Sequence, residues 1–154
     1  MRGLTKEDSK EELEYELFKI FAIQQNWPWS RELLSHGAKR EPDWIYAGLE
    51  ETVAFEITRV IEPELARDRA NPSGKAFWFS SNVEYVIRKK LDKKQYVSSY
   101  PIELVVCHGG EAAITDDYVV PILEIEIYSS STVPFRKIWY SGQHKSYLVY
   151  SASD

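Results

Sequence analysis

Residues 42–60 decide the predicted fold and read PDWIYAGLEETVAFEITRV. Two short extended segments, at 43–47 and 52–60, flank four residues that include a glycine. This pattern predicts a β-hairpin with a four-residue loop at 48–51. The other predicted elements lie before and after this hairpin in the sequence.

An acid lies in the middle of the second, apolar strand of this hairpin. Because side chains alternate between the two faces of a strand, Glu56 shares its face with Ala54 and Thr58. A buried carboxylate is costly unless a cation or a basic side chain satisfies it. A regular hairpin brings Asp43 close to Glu56, and two hard carboxylates suit Mg²⁺ or Mn²⁺. The other interpretation is a buried ion pair between Glu56 and an Arg or Lys.

Helical patterns flank the hairpin on both sides. A first helix is predicted over about 11–24 from apolar residues at i, i+4, i+7 and i+8 (Leu13, Leu17, Ile20 and Phe21). An irregular stretch at 61–81 is predicted to be a long loop. A second helix follows at about 82–95, with an apolar stripe at Val83, Val86, Ile87 and Leu91. Residues 102–107, IELVVC, form a near-continuous apolar run that is typical of a buried central strand.

The last third of the chain predicts a helix and two strands. A third helix begins at Thr115 or Asp116, although residues 122–128 also alternate as a strand does, and both interpretations stay open. Strands are predicted at 135–140 and 146–150. Because strands and helices interleave, the predicted class is α/β, with a mixed central sheet.

Composition excludes several classes of protein. The 154 residues are 44% hydrophobic and 14% aromatic, which excludes disordered, collagen-like and coiled-coil chains and predicts one domain over 1–154. The lone Cys107 excludes an internal disulfide and fits a reducing compartment. No apolar run is long enough to span a bilayer and the N-terminus lacks a signal-peptide pattern, so we expect a cytoplasmic protein. The net charge of −5 does not indicate a strongly basic nucleic-acid binder.

The Pro-Asp hairpin with Glu56, and the order helix, hairpin, helix, buried strand, resemble the PD-(D/E)xK (restriction-endonuclease-like) nuclease superfamily. The resemblance implies a three-layer α/β/α sandwich with its core at about 11–108 and a C-terminal helix and strand extension at 109–154. It also implies a metal-dependent phosphodiesterase that acts on DNA or RNA. In that interpretation Asp43 and Glu56 hold Mg²⁺ or Mn²⁺, and Glu12 or Glu16 of the first helix completes the metal site.

One position departs from the family pattern, because Thr58 stands where the family has its lysine. Either a lysine of the second helix, Lys90 or Lys94, enters the site, or the site is degenerate. A degenerate site would make the chain a binding or accessory protein without enzymatic activity. The basic run at 88–94 is either a phosphate-contacting face for a nucleic-acid partner or a solvated helix face. The resemblance further suggests a homodimer.

Overall fold

A computed structural model of the chain describes residues 6–37, 42–60, 75–92, 96–110 and 114–152, with side chains from residue 10 in the first range and from residue 83 in the third. Within these ranges the chain forms three α-helices and one six-stranded sheet. The elements are α1 (Lys6–Gln24), β1 (Leu34–His36), β2 (Trp44–Tyr46), β3 (Val53–Arg59), α2 (Lys75–Leu91), β4 (Ile102–Cys107), α3 (Asp116–Tyr128), β5 (Lys137–Ser141) and β6 (Ser146–Ser151).

The strands lie in the sheet in the same order as in the sequence. β1, β2 and β3 pair antiparallel, β3, β4 and β5 pair parallel, and β6 returns antiparallel to β5. Each parallel pair is connected through a helix, α2 or α3, as parallel strands require. The predicted α/β class with a mixed sheet is therefore confirmed.

Apolar side chains cover both faces of the sheet. Phe18 and Phe21 of α1 pack on one face against Phe55 and Trp139. On the other face, residues of α2 and α3 pack against β4 and β5 (Val83, Ile87, Leu91, Val119, Leu123, Leu104 and Ile138). The central strands are therefore buried on both sides, which explains their continuous apolar runs.

The hairpin of β2 and β3, the strand β4 and the C-terminal strand pair lie where the sequence predicts them. Two expectations are wrong. The strand alternative for 122–128 fails because Val119, Leu123 and Ile127 are four residues apart and all face the core of a helix. The predicted loop at 61–81 fails over its last seven residues: α2 already begins at Lys75, where no Gly or Pro follows to interrupt it. The rest of that loop, residues 61–74, lies outside the described residues.

The buried face of α1 also differs from the expectation. Of the predicted core positions, Phe21 is fully buried, whereas Leu13 and Ile20 are 38% and 50% exposed. Phe18 and Ala22, which lie outside the predicted stripe, are fully buried as well. The buried face of the helix is thus shifted from the predicted stripe toward Phe18. No helix in the described ranges is long and apolar enough to cross a membrane.

Candidate functional site

The carboxylates of Asp43 and Glu56 each accept a hydrogen bond from a backbone N–H group of the neighbouring segment. Trp44 pairs with Phe55 in the β2–β3 ladder, so Asp43 comes level with Glu56. The backbone N–H of Asp43 donates to Glu56 Oε2 at 3.2 Å, and the N–H of Ile57 donates to Asp43 Oδ2 at 3.1 Å. Asp43 therefore satisfies a strand donor of β3 at the point where the β2 ladder ends. This local geometry fixes both carboxylates.

Lys90 of α2 reaches the same carboxylate from the opposite side. Its Nζ donates to Glu56 Oε1 at 3.0 Å, with side-chain exposures of 19% for Lys90 and 4% for Glu56. Burial alone would lower the pKa of Lys90, but the charge of Glu56 and the hydrogen bond to it raise that pKa above its ordinary value. Lys90 therefore stays an ammonium group inside the fold.

Glu14 of α1 completes the arrangement. Its side chain is 13% exposed and lies 4.0 Å from the ammonium of Lys10. Burial, followed by the negative charge of Asp43, raises the pKa of Glu14 to about 7. This carboxyl therefore exchanges its proton near neutral pH. We call Glu14, Asp43, Glu56 and Lys90 the charged cluster.

Tyr96 lies beside the charged cluster, in the segment before β4. Its ring contacts Phe135 at a centroid distance of 5.2 Å. Burial, followed by the charges of Glu56 and Asp43, raises the pKa of the Tyr96 phenol. The phenol therefore keeps its proton at every physiological pH.

The other residues named from the sequence lie in different places. Thr58 is buried on the face of β3 that carries Glu56, level with Val106 of β4. Glu12 and Glu16 are exposed on α1 and line a shallow groove of about 450 Å³ together with Trp44. They do not accompany Glu14 into the charged cluster. Lys94 lies outside the described residues.

The structure brings together only part of the predicted metal-ligand set. Asp43 and Glu56 are neighbours, whereas Glu12 and Glu16 line a separate groove. Among the residues that the structure describes, no three Asp, Glu, His or Cys side chains are grouped so that they could hold a metal ion. Binding of Mg²⁺ or Mn²⁺ stays a prediction of the sequence alone.

The basic run at 88–94 does not present one continuous face over its described part. Arg88 forms a two-pronged ion pair with Glu126 of α3, at 2.7 and 2.9 Å. Lys89 lies over the ring of Tyr85, while Lys90 points inward to Glu56. Three successive cations thus have three different partners, and residues 93–95 lie outside the described ranges.

Comparison with known proteins gives one structural likeness. No protein-family model matches the chain, and no curated protein matches it. Among solved structures, a protein of unknown function from Pseudomonas aeruginosa strain PAO1, described as a member of the monooxygenase superfamily, matches with a TM-score of 0.44 and 14% identity. The match covers 94% of this chain and 74% of that one. It carries no activity over to this chain.

No nuclease family model and no curated nuclease supports the resemblance to the PD-(D/E)xK superfamily. The predicted restriction-endonuclease-like fold and the phosphodiesterase activity, with its degenerate alternative, are therefore not upheld. The physical reason is that Asp43, Glu56 and Thr58 form a short pattern, which a strand-end aspartate and a lysine-paired glutamate also produce.

Proposed function

We propose that the charged cluster is a proton-transfer centre and that the protein is an enzyme that moves a proton on a small organic substrate. The observation that carries the proposal is the buried contact of Lys90 Nζ with Glu56 Oε1 at 3.0 Å, held next to Asp43 by a backbone hydrogen bond. Glu14, whose side chain is 13% exposed, adds a carboxyl whose pKa burial and the charge of Asp43 raise to about 7. A group with this pKa both accepts and donates a proton at neutral pH, as a general acid–base catalyst must.

Burial first, and then the charges around Glu14, explain why the pKa of Glu14 is raised. Asp43 and Glu56 are fixed by hydrogen bonds, and Lys90 balances one of their two negative charges. A second full negative charge on Glu14 would be opposed by both neighbouring carboxylates. Glu14 therefore keeps its proton to a higher pH than an ordinary glutamate. Strongly shifted groups of this kind concentrate at functional sites.

A substrate with a C–H bond next to a carbonyl fits these roles. The Glu14 carboxylate takes the proton, the C–H electron pair forms a C=C bond while the carbonyl π pair moves to the oxygen, and the Lys90 ammonium stabilises the negative charge on that oxygen. A proton then returns from Glu14 to the same carbon as the carbonyl re-forms. The net reaction is exchange of the α-proton with solvent and needs no oxidant.

Proton exchange with solvent tests the proposal directly. A panel of keto acids and hydroxyketones is incubated with the protein in D₂O at pH 7, and loss of the α-proton signal is followed by NMR. We expect exchange with at least one member, and a loss of about 10²-fold or more in Glu14→Gln. Glu12→Gln, an exposed glutamate on the same helix, is the matched control and should keep the wild-type rate.

The pKa of Glu14 supplies a readout that does not depend on the substrate. The ¹³C shift of its carboxyl carbon, assigned by comparison with Glu14→Gln, should titrate with a midpoint of about 7. A midpoint at the ordinary glutamate value, or no exchange with any member of the panel, would overturn the proposal.

Two other expectations from the sequence, a three-layer arrangement and a reduced Cys107, also find support. Helices pack on both faces of the sheet, which supports a three-layer arrangement. Cys107 is buried, and burial raises the pKa of its thiol to about 12, which fits a reduced and unreactive side chain in the cytoplasm. One domain over 1–154, a nucleic-acid partner and a homodimer stay predictions.

A further inference from the structure

A second feature lies on the face of the sheet that carries α1, away from Lys90 and α2. It is a groove of about 490 Å³, whose walls include Trp27, Trp139, Glu50, Glu51, Glu103 and Lys137. We call it the indole groove. A volume of this size suits one small ligand.

Two tryptophans form adjoining walls of the indole groove. The rings of Trp27 and Trp139 stand at 86° to each other with their centroids 5.9 Å apart. The indole N–H of Trp139 donates to Glu103 Oε1 at 2.8 Å, which holds this ring in one orientation. The two rings contact each other edge to face, and the face of an indole ring attracts a cation through its quadrupole.

The ammonium group of Lys137 already lies over one of these rings, that of Trp139. The Nζ of Lys137 lies 5.6 Å from the centroid of the Trp139 ring. This distance is within the range of a cation–π contact. The lysine side chain is flexible, so an outside ammonium group can replace it on the ring.

The charges at the indole groove favour a cation over an anion. Glu50 and Glu51 are exposed at its rim, and Glu103 is buried at its base. Arg136 is already engaged, since it contacts Glu51 Oε1 at 2.6 Å and Glu103 Oε2 at 2.5 Å. When the ammonium of Lys137 moves away, three carboxylates and one guanidinium, that of Arg136, line the groove, so its net charge is negative.

We propose that the indole groove binds an alkylated ammonium head group in the place of the Lys137 ammonium. Methyl groups on the nitrogen fill the aromatic walls and weaken the hydration of the charge, so that little is lost on leaving water. The head group belongs either to a free small molecule or to a trimethylated lysine side chain. The two sources share their chemistry and are separated by experiment.

Calorimetric titration with choline and with its neutral carbon isostere, 3,3-dimethylbutan-1-ol, tests the role of the charge. We expect saturable binding of choline, and binding of the isostere weaker by about tenfold or more. A peptide that carries one trimethyl-lysine is titrated in parallel. Tighter binding of this peptide assigns the methylated side chain as the ligand, and tighter binding of choline assigns the small molecule.

Two variants test the site itself. Lys137→Met removes the competing ammonium and should tighten choline binding by about three- to tenfold. Trp27→Leu, at a half-buried position, should weaken it by about tenfold, with the fold checked by circular dichroism. Lys145→Met is the matched control, since Lys145 lies 5.0 Å over the ring of Tyr147 outside the groove, and it should leave affinity unchanged.

Three results would overturn the inference. They are equal affinity for choline and its isostere, no binding of either choline or the peptide, and weaker binding in Lys137→Met. Because Lys137→Met is expected to gain affinity, a merely destabilised variant cannot imitate the supporting result.

Discussion

Glu14 owes its environment to the rotation of α1. The buried positions Phe18 and Phe21 are four and seven residues after Glu14, so all three share the face that packs on the sheet. The predicted stripe of Leu13, Leu17, Ile20 and Phe21 contains only one of these two rings, and it places Glu12 or Glu16 at its edge as the candidate for the site. Phe18 is the signal that this stripe lacks, because a large ring is buried more often than a leucine at the edge of a stripe.

The raised pKa of Glu14 makes the stability of the protein depend on pH. Between about 4.5 and 7 the folded state binds more protons at Glu14 than the unfolded state, so the free energy of unfolding falls as pH rises through this window. The loss is nearly complete about one unit above pH 7, where Glu14 has lost its proton in the folded state as well. After allowance for solvent screening of a partly exposed side chain, the loss should amount to about 1–2 kcal/mol.

Glu14→Gln should remove this part of the pH dependence, and at pH 8 it should be more stable than the wild type. Urea unfolding at pH 5 and pH 8 measures the effect. Glu12→Gln serves as control, since it removes the same charge from an exposed position. If Glu14→Gln and Glu12→Gln have the same pH profile, Glu14 is not the responsible group.

Removing Lys90 alone should lower the free energy of unfolding far more than removing the charges of Lys90 and Glu56 together. Lys90→Met leaves a buried carboxylate without its cation, and we expect a loss of about 3–5 kcal/mol in the free energy of unfolding. The double variant Lys90→Met/Glu56→Gln should recover most of this loss, because no buried charge is left alone. A urea-unfolding cycle measures both values.

Lys89→Met is the matched control for this cycle, because its side chain is exposed one position earlier and should change stability by less than about 0.5 kcal/mol. A double variant as unstable as Lys90→Met alone would contradict the ion-pair explanation.

The predictable part of the charged cluster is the local part. Asp43 and Glu56 are neighbours in a hairpin, so the sequence places them side by side. Lys90 comes from a helix 34 residues further on, and the sequence leaves it as one of two candidates. Glu103 escapes notice altogether, since its partner Arg136 belongs to a segment 33 residues away. Tertiary packing, which no local pattern encodes, decides both pairings.

At the scale of single elements, α3 contains a proline, Pro121, that destabilises the helix. Pro121 lies inside the helix and is exposed, so its ring adds no core packing to offset the backbone hydrogen bond that it removes. Pro121→Ala should therefore raise the free energy of unfolding by about 1–3 kcal/mol. Thermal unfolding followed by circular dichroism measures the change.

Glu124→Ala tests whether any alanine on this surface has the same effect. It places alanine at another exposed position of α3, where no backbone bond is restored, and should change stability by less than about 0.5 kcal/mol. A gain in Glu124→Ala equal to that in Pro121→Ala would refute the role of the proline.

The long pattern of α2 made that helix predictable, whereas the short strand β1 was not. The stripe of α2 falls on Val83, Val86, Ile87 and Leu91, and all four are buried as predicted. β1 has only three residues and one buried side chain, Leu34, so it shows no alternation that a pattern could detect. It is a strand because β2 lies beside it, and this cause lies outside its own sequence.

At the scale of the whole molecule, the central strands of the sheet are more buried than its edge strands. β3 and β4 have neighbours on both edges and side chains buried on both faces. β1 is a short edge strand, and β6 at the other edge has mostly half-exposed side chains. The sequence predicts the class of this fold from the alternation of strands and helices. It does not predict the strand order, because order depends on pairings between distant segments.

This difference in burial predicts that hydrogen-exchange protection falls from the centre of the sheet toward its edges. Amides of β4 that bond to β3 or β5 should open only with global unfolding, whereas amides of β1 should open at a free energy lower by at least about 2 kcal/mol. Exchange at low denaturant concentrations, followed residue by residue with NMR, measures these values. The bond from the Val60 N–H to the Cys107 carbonyl, just beyond the β3–β4 ladder, supplies an internal reference of intermediate protection. Equal protection in β1 and β4 would mean that the sheet opens as a single unit, and that neither edge strand is less stable than the centre.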